Sequence, residues 1–278
     1  MKVGDAHCHV NPVKGLGPRE LAKRFKKANG WFIGLVNLLS WSYDVTAIKP
    51  EDYRKVYDIT LKSAELIREE GIKVAIILGP HPAEFTTLVE KGVKPEEAYN
   101  IMVRAYEIAA LYISEGKASG LGEVGRPHWP VSHGVLNWCN RILDRVLELA
   151  SDLDCIVHLH LEETREETIE DIHSRVKKYR ARKVILHHIK SRYVRKAFEK
   201  GLYASVPARS RDLIEALKHG SSFVIESDYL DDPKRPGAVV APWSIYRTFK
   251  RLIDGGYLSE AEAERILVDN IKTLYDLE

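Results

Sequence analysis

The feature that most limits the fold of this chain is a strict alternation of short apolar runs with longer helical patterns. The runs have the length and aliphatic character of buried strands, and the segments between them repeat apolar residues at helical spacing. Strands are predicted at residues 2–8, 31–37, 72–79, 117–124, 154–160, 183–188, 202–206 and 222–228. Helices are predicted at residues 18–29, 51–70, 95–115, 134–151, 165–180, 191–200, 209–219, 242–254 and 259–276. Eight such units predict an α/β protein, a (β/α)8 TIM barrel forming one domain over residues 1–278, with a doubly wound open sheet as the alternative.

The composition excludes several classes of partner and site. A net charge of +2 gives no overall attraction to nucleic acid or to a membrane, so such a partner would need local charge. The three cysteines are odd in number and lack C-x-x-C spacing, which argues against a disulfide framework or a cysteine zinc site. The chain shows no signal-peptide pattern and no apolar run long enough to cross a bilayer. We therefore expect a cytoplasmic protein that does not bind membranes.

Ionisable side chains collect where six of the predicted strands end. The carboxyl ends of parallel barrel strands meet at one rim, so these side chains are expected to lie close together. Buried ionisable groups need partners, and a set of His, Glu and Asp at one rim predicts a metal centre. The set is His7, His9, His81, Glu123, His158, His160, His187, His188, Glu226 and Asp228.

Strand alternation narrows this set at the first and fifth strands. His7 and His9 project to one side of a strand, where both imidazoles can bind the same ion. His158 and His160 also share a face, and His160 lies nearer the rim, which makes it the better ligand.

The sixth and eighth strands offer two further choices. His187 and His188 face opposite ways, so only one points inward, and we favour His188 while leaving His187 open. Glu226 and Asp228 share a face, and Asp228 lies further toward the rim. Asp228 is therefore predicted to be a ligand or a proton acceptor.

Several motifs together carry a resemblance to a known family. They are Asp5-Ala6-His7-Cys8-His9, Gly79-Pro80-His81-Pro82, Gly122-Glu123-Val124-Gly125, the histidines of strands five and six, and Glu226-Ser227-Asp228-Tyr229. In this order they resemble the TatD-type metal-dependent hydrolases of the amidohydrolase superfamily. Asp228-Tyr229-Leu230-Asp231-Asp232-Pro233, followed by Arg235-Pro236-Gly237, is most similar to the archaeal TatD-related branch.

The resemblance implies a barrel that holds one or two divalent metal ions. His-rich ligation favours zinc, while shared carboxylates also admit manganese or magnesium. The implied ligands are His7, His9 and Asp228 for the first ion, Glu123 as a bridge, and His160 and His188 for the second ion. The family also implies deoxyribonuclease activity. The sequence departs from the family pattern at Arg126-Pro127, at Leu161-Glu162 and at Ile189.

The expected reaction is hydrolysis of a phosphoester in DNA or in a phosphate-bearing small molecule. A divalent ion activates water, and Asp228 would act as the general base. Basic residues that follow strand ends, Arg126, Arg209 and Arg235, are predicted to bind the phosphate, although the wider basic run 175–200 also fits a solvated helix face. His81 is either a substrate contact or structural. The alternatives are an amidohydrolase acting on a small amide or lactone, and a metal-stabilised binding barrel without catalysis.

Overall fold

The computed structural model describes residues 1–235 and 240–278. Eight parallel strands form one sheet in chain order. They are β1 (Val3–Cys8), β2 (Gly30–Val36), β3 (Lys73–Leu78), β4 (Gly120–Gly125), β5 (Ile156–His160), β6 (Lys183–Leu186), β7 (Tyr203–Pro207) and β8 (Val224–Glu226). β1 also contacts β8, so the sheet curves into a nearly closed barrel. The predicted (β/α)8 barrel is confirmed, since a doubly wound sheet would not keep the strands in chain order.

Helices separate the strands and follow the last one. They are α1 (Pro18–Lys27), α2 (Tyr53–Glu69), α3 (Pro82–Glu90), α4 (Pro95–Ser114), α5 (His133–Leu153), α6 (Glu166–Tyr179), α7 (Val194–Glu199), α8 (Ser210–Leu217), α9 (Ile245–Asp254), α10 (Glu260–Glu264) and α11 (Asn270–Tyr275). A π-helical turn, Arg265–Asp269, joins α10 to α11 within the predicted segment 259–276. Among the described residues, no helix combines the length and apolar character needed to cross a bilayer.

One helix was not predicted, and two strands that bear on the site end earlier than predicted. Helix α3 was not predicted; Pro82 at its first turn and the His81 side chain, which accepts from the Ala83 N–H, begin it directly after β3. β6 and β8 end two residues earlier than predicted. His188 (φ 39°) and Asp228 (φ 48°) adopt left-handed backbone conformations that no strand can continue through.

The chain forms two compact units, the first made of residues 1–35, 62–75 and 187–278. In this unit β1 and β2 approach so closely that a Cβ on Gly34 would lie 2.3 Å from the Ala6 carbonyl oxygen. That carbonyl also accepts a hydrogen bond of 3.0 Å from the Tyr275 hydroxyl at the end of α11. The last helix therefore holds the strand that carries His7 and leads to His9.

The second unit comprises residues 36–61 and 76–186. Its interior contains three fully buried tyrosines, Tyr53, Tyr57 and Tyr106. The Tyr106 hydroxyl donates to the carbonyl oxygens of Pro80 (2.7 Å) and Glu123 (3.0 Å). This side chain therefore ties the end of β3 to β4 at Glu123.

Candidate metal centre

His7 lies on β1 and His9 directly follows its last residue, and the two rings approach each other as the alternation of side chains predicts. Their Nε2 atoms lie 3.2 Å apart. Both residues are buried. Two nitrogens bound to one ion at about 2.0–2.1 Å lie roughly 3 Å from each other, so this spacing fits a shared ligand pair.

His187 lies beside His7 in the same unit. Their rings stack with centroids 3.8 Å apart. His187 Nδ1 is 2.7 Å from Glu226 Oε2, and this carboxylate also accepts from the Ser205 hydroxyl. Because a carboxylate accepts the proton on Nδ1, the lone pair of neutral His187 is on Nε2. Glu226 therefore orients His187 as a ligand.

Asp228 completes a set that we call the His7 cluster: His7, His9, His187 and Asp228. Its Oδ1 lies 3.6 Å from His9 Nε2 and 3.7 Å from His187 Nε2. Ligand atoms of His7, His187 and Asp228 all lie within 4.8 Å of one another, a spacing suited to one metal ion. The Asp228 N–H donates to the His7 carbonyl at 3.0 Å, which places the carboxylate at the end of β1.

Sequence reasoning favours His188 at this position, and the structure places His187 there instead. β6 ends at Leu186, so strand alternation does not determine which of the two rings faces the cluster. His188 lines a neighbouring cleft, and its ring packs edge to face against that of His187 with centroids 4.2 Å apart. The signal for His187 was the carboxylate of Glu226, two residues before Asp228, which in the folded chain accepts from the His187 ring.

Asp5 supports the His7 cluster and was not singled out from the sequence. It is fully buried on β1, and its Oδ1 accepts from the backbone N–H groups of Ser227 (2.9 Å) and His7 (3.3 Å). Burial raises the pKa of Asp5 to about 7, although these N–H donors oppose the shift. Asp5 therefore joins the strand bearing His7 to the segment bearing Asp228.

A second group of aromatic side chains, three imidazoles and one indole, lies in the other unit at the end of β5. We call it the His160 cluster: His81, His128, Trp129 and His160. His160 Nε2 lies 3.0 Å from His128 Nδ1, and its ring meets that of His81 edge to face at 4.4 Å. His128 was missed because it lies three residues beyond β4, where no strand pattern marks it. His158 is fully buried on β5, and Glu123 is buried on β4.

Arg126 occupies a different environment from the open rim expected of it. Its guanidinium donates to Asn140 Oδ1 (2.7 Å), to Glu162 Oε1 (3.0 Å) and to Asp171. The side chain is 9% exposed. Arg126 therefore joins β4 to α5 and α6 through protein acceptors.

A cleft of about 990 Å³ lies beside the His7 cluster within the first unit. We call it the cationic cleft, after the basic side chains in its wall: Lys190, Arg192, Arg209, Arg211 and Lys218. His188 and Asp228 also line it. Lys218 pairs with Glu215 at 2.6 Å, whereas the guanidinium of Arg209 makes no hydrogen bond to any described side chain. Asp228 is thus shared by the cleft and the cluster.

Arg235 lies outside the cationic cleft. It is 63% exposed and pairs with Asp232 at 3.1 Å. Pro236 and Gly237, part of the motif that carries the archaeal resemblance, lie outside the described residues.

Comparison with known proteins identifies the family. The model of the TatD related DNase family matches residues 4–276. The chain belongs to this family. An uncharacterized protein of Methanocaldococcus jannaschii, MJ1127, is 33% identical over 100% of this chain and 97% of its own length. The resemblance to TatD-type hydrolases and their archaeal relatives is therefore confirmed. Membership indicates a hydrolase with a fold whose members use divalent metal ions.

Solved structures share the fold at low sequence identity. The TatD homologue YjjV of Escherichia coli K12 is 19% identical with a TM-score of 0.68, covering 99% of this chain and 98% of that one. An E. coli phosphotriesterase homology protein, solved with phosphate in its active site, is 12% identical with a TM-score of 0.67 and the same coverage. An organophosphorus hydrolase of Deinococcus radiodurans is 13% identical with a TM-score of 0.58, covering 98% and 92%. At these identities the likeness shows the barrel fold.

Proposed function

We propose that this protein is a divalent-metal-dependent phosphoester hydrolase whose substrate is DNA or a phosphate-bearing small molecule. One observation carries the proposal: Asp228 belongs to the His7 cluster and also lines the cationic cleft. Ligands for a divalent ion therefore adjoin a surface that attracts phosphate oxygens.

The donor atoms of the His7 cluster fit a divalent cation. The cluster contains three buried imidazoles and one carboxylate that is 20% exposed. Imidazole nitrogen suits zinc, whereas the carboxylate also admits manganese or magnesium. We propose zinc as the physiological ion, with Glu123 and His160 as further ligands, as the family resemblance implies.

A bound divalent ion would supply a nucleophile at neutral pH by lowering the pKa of water. The residues of this chain supply the remainder of the reaction. The Asp228 carboxylate accepts the proton of the attacking water. Glu226 holds His187 in its ligating tautomer. The guanidinium of Arg209 binds oxygens of the phosphate in the cationic cleft.

The experiment is a substrate panel assayed with metal-loaded protein. We expect hydrolysis of bis(p-nitrophenyl) phosphate or single-stranded DNA, loss of activity on chelation, and recovery when zinc or manganese is restored. Asp228→Asn should lower kcat by at least about 100-fold, the contribution typical of a general base. Asp254→Asn, a change in an exposed ion pair of α9, is the control.

Two results would contradict the proposal. Turnover of a lactone or amide with none of the phosphoesters would replace it by the amidohydrolase alternative. Metal binding without turnover of any substrate would favour the non-catalytic barrel.

A further inference from the structure

We propose that His128 is a metal ligand, and that its Nδ1 and His160 Nε2 together form the imidazole half of a metal site. The inference rests on the proposed metal dependence and adds a residue that neither the family motifs nor strand alternation assigns. It concerns the second unit alone.

The spacing of the two nitrogens is that of a ligand pair. His128 Nδ1 and His160 Nε2 are 3.0 Å apart, close to the 3.2 Å between the Nε2 atoms of His7 and His9. Both values fit two nitrogens that share an ion at about 2.0–2.1 Å.

Backbone contacts direct the His160 lone pair toward His128. His160 Nδ1 lies 2.8 Å from the Arg126 carbonyl oxygen, which can only accept, so Nδ1 carries the ring proton. The Arg126 N–H in turn donates to the His160 carbonyl at 2.8 Å. The ring is thus held in the tautomer that carries its lone pair on Nε2, the arrangement usual for a ligating histidine.

The location of His128 gives an ion access to the pair. His160 is 4% exposed, whereas His128 is exposed in the segment that follows β4. The ring of Trp129 packs edge to face against His128 with centroids 5.0 Å apart. An ion arriving from solvent would meet His128 first, and neutral His128 would then carry its ring proton on Nε2.

Metal titration tests the inference without any substrate. Wild type, His128→Ala and His160→Ala are stripped with chelator and titrated with Zn²⁺ in a calorimeter, and bound zinc is then counted by mass spectrometry. We expect His128→Ala to weaken one binding event by at least about 10-fold, since even residues that only support a ligand contribute 10- to 100-fold. His160→Ala should weaken the same event, and the double variant should lose less than the product of the two.

The matched control is His133→Ala, which removes an exposed histidine at the start of α5 and should titrate as wild type does. Circular dichroism of each metal-free variant verifies that it is folded. Unchanged affinity and stoichiometry in folded His128→Ala would overturn the inference. Tighter binding would overturn it as well, because His128 would then compete with metal for His160.

The outcomes separate this inference from the proposed function. Wild-type protein that binds no divalent ion would refute both. Wild-type protein that binds metal and hydrolyses no phosphoester would refute only the phosphoesterase assignment, and the comparison of His128→Ala with wild type would still decide the role of His128.

Discussion

At the scale of single residues, Glu226 determines how His187 presents its ring. Its carboxylate accepts from His187 Nδ1 and from the Ser205 hydroxyl, and it is completely buried. Asp5 has a comparable role through the backbone, since it accepts the N–H groups of His7 and Ser227. The ligands of the His7 cluster are therefore held by buried carboxylates that do not themselves join the cluster.

Glu226→Gln tests this support. The amide offers N–H donors as well as an acceptor, and it carries no charge. The hydrogen bond that keeps the proton on His187 Nδ1 is therefore weaker. We expect zinc affinity to fall by about 10- to 100-fold while the chain stays folded. Calorimetric titration against Glu199→Gln, an exposed change at the end of α7, measures the difference. Equal affinities in the two variants would mean that Glu226 does not orient the ligand.

Arg126 and Glu162 show what a family comparison gains from a structure. Both stand at positions where the sequence departs from the TatD pattern, and they form an ion pair with each other at 3.0 Å. The two departures therefore contact each other in the folded chain. Sequence reasoning treated them separately, because nothing along the chain links a residue after β4 to one after β5.

The contacts of Arg126 predict a loss of stability when its side chain is removed. Arg126→Ala removes the guanidinium that donates to Asn140, Glu162 and Asp171, which should lower the free energy of unfolding by about 1–3 kcal/mol. Glu162 still accepts from the Thr168 hydroxyl and Asp171 from Arg175, so Asn140 loses the most. Urea denaturation of Arg126→Ala, Glu162→Ala and the double variant measures the coupling between the pair. Additive losses of stability would mean that Arg126 and Glu162 are not coupled. A rise in KM with unchanged stability would contradict the structural role and favour direct substrate binding.

At the scale of elements, α3 joins the segment after β2 through a buried acid. Glu84 Oε1 accepts from the Ser40 N–H at 2.6 Å, and the residue is 3% exposed. Burial raises the pKa of Glu84 to about 7. The side chain therefore lies in an environment that disfavours its charge.

Stability should depend on pH through this group. Because the pKa of Glu84 is higher in the folded chain (about 7) than its ordinary value of 4.5, the folded state binds the proton more tightly. Its contribution to stability is complete below pH 4.5 and is lost as the pH rises to 7, by about 3 kcal/mol. Glu84→Gln should therefore gain stability relative to wild type between pH 5 and pH 8.

Urea denaturation at pH 5 and pH 8 gives the difference in free energy of unfolding between Glu84→Gln and wild type at each pH. Glu90→Gln, exposed at the end of the same helix, is the matched control. A stability difference between Glu84→Gln and wild type that is the same at both pH values would show that Glu84 keeps its ordinary proton affinity.

At the scale of the whole molecule, the sequence predicts the repeated alternation of strands with helices but not the residues at which individual strands end. The alternation of strands with helices along the chain correctly predicts the barrel. The alternation of side chains along the first strand predicts that His7 and His9 lie close together. Neither pattern could predict that β6 stops at Leu186, since His188 adopts a left-handed conformation that a non-glycine residue rarely takes and that the sequence does not signal. His128 was not predicted as a site residue for a related reason, because a segment without periodicity gives no indication of where its side chains point.

The sequence also did not determine which basic residues line the cationic cleft. Sequence reasoning grouped Arg126, Arg209 and Arg235 as phosphate contacts, and of these three only Arg209 lines the cleft. Arg209→Gln should raise KM for a phosphodiester by about 10-fold or more, since one hydrogen bond to a charged group is worth about 1.5–3 kcal/mol. Arg251→Gln, exposed on α9, is the control for loss of charge. A KM equal to that of the control would place phosphate binding elsewhere.

The claim on which the rest depends is that the His7 cluster binds a divalent ion. The most direct measurement is an anomalous difference map at the zinc absorption edge, from crystals of zinc-loaded protein. We predict a peak about 2.0–2.2 Å from the Nε2 atoms of His7 and His9, with Asp228 and His187 among its ligands. A map without a peak there, or a peak bound by His188 with His187 turned away, would contradict the account.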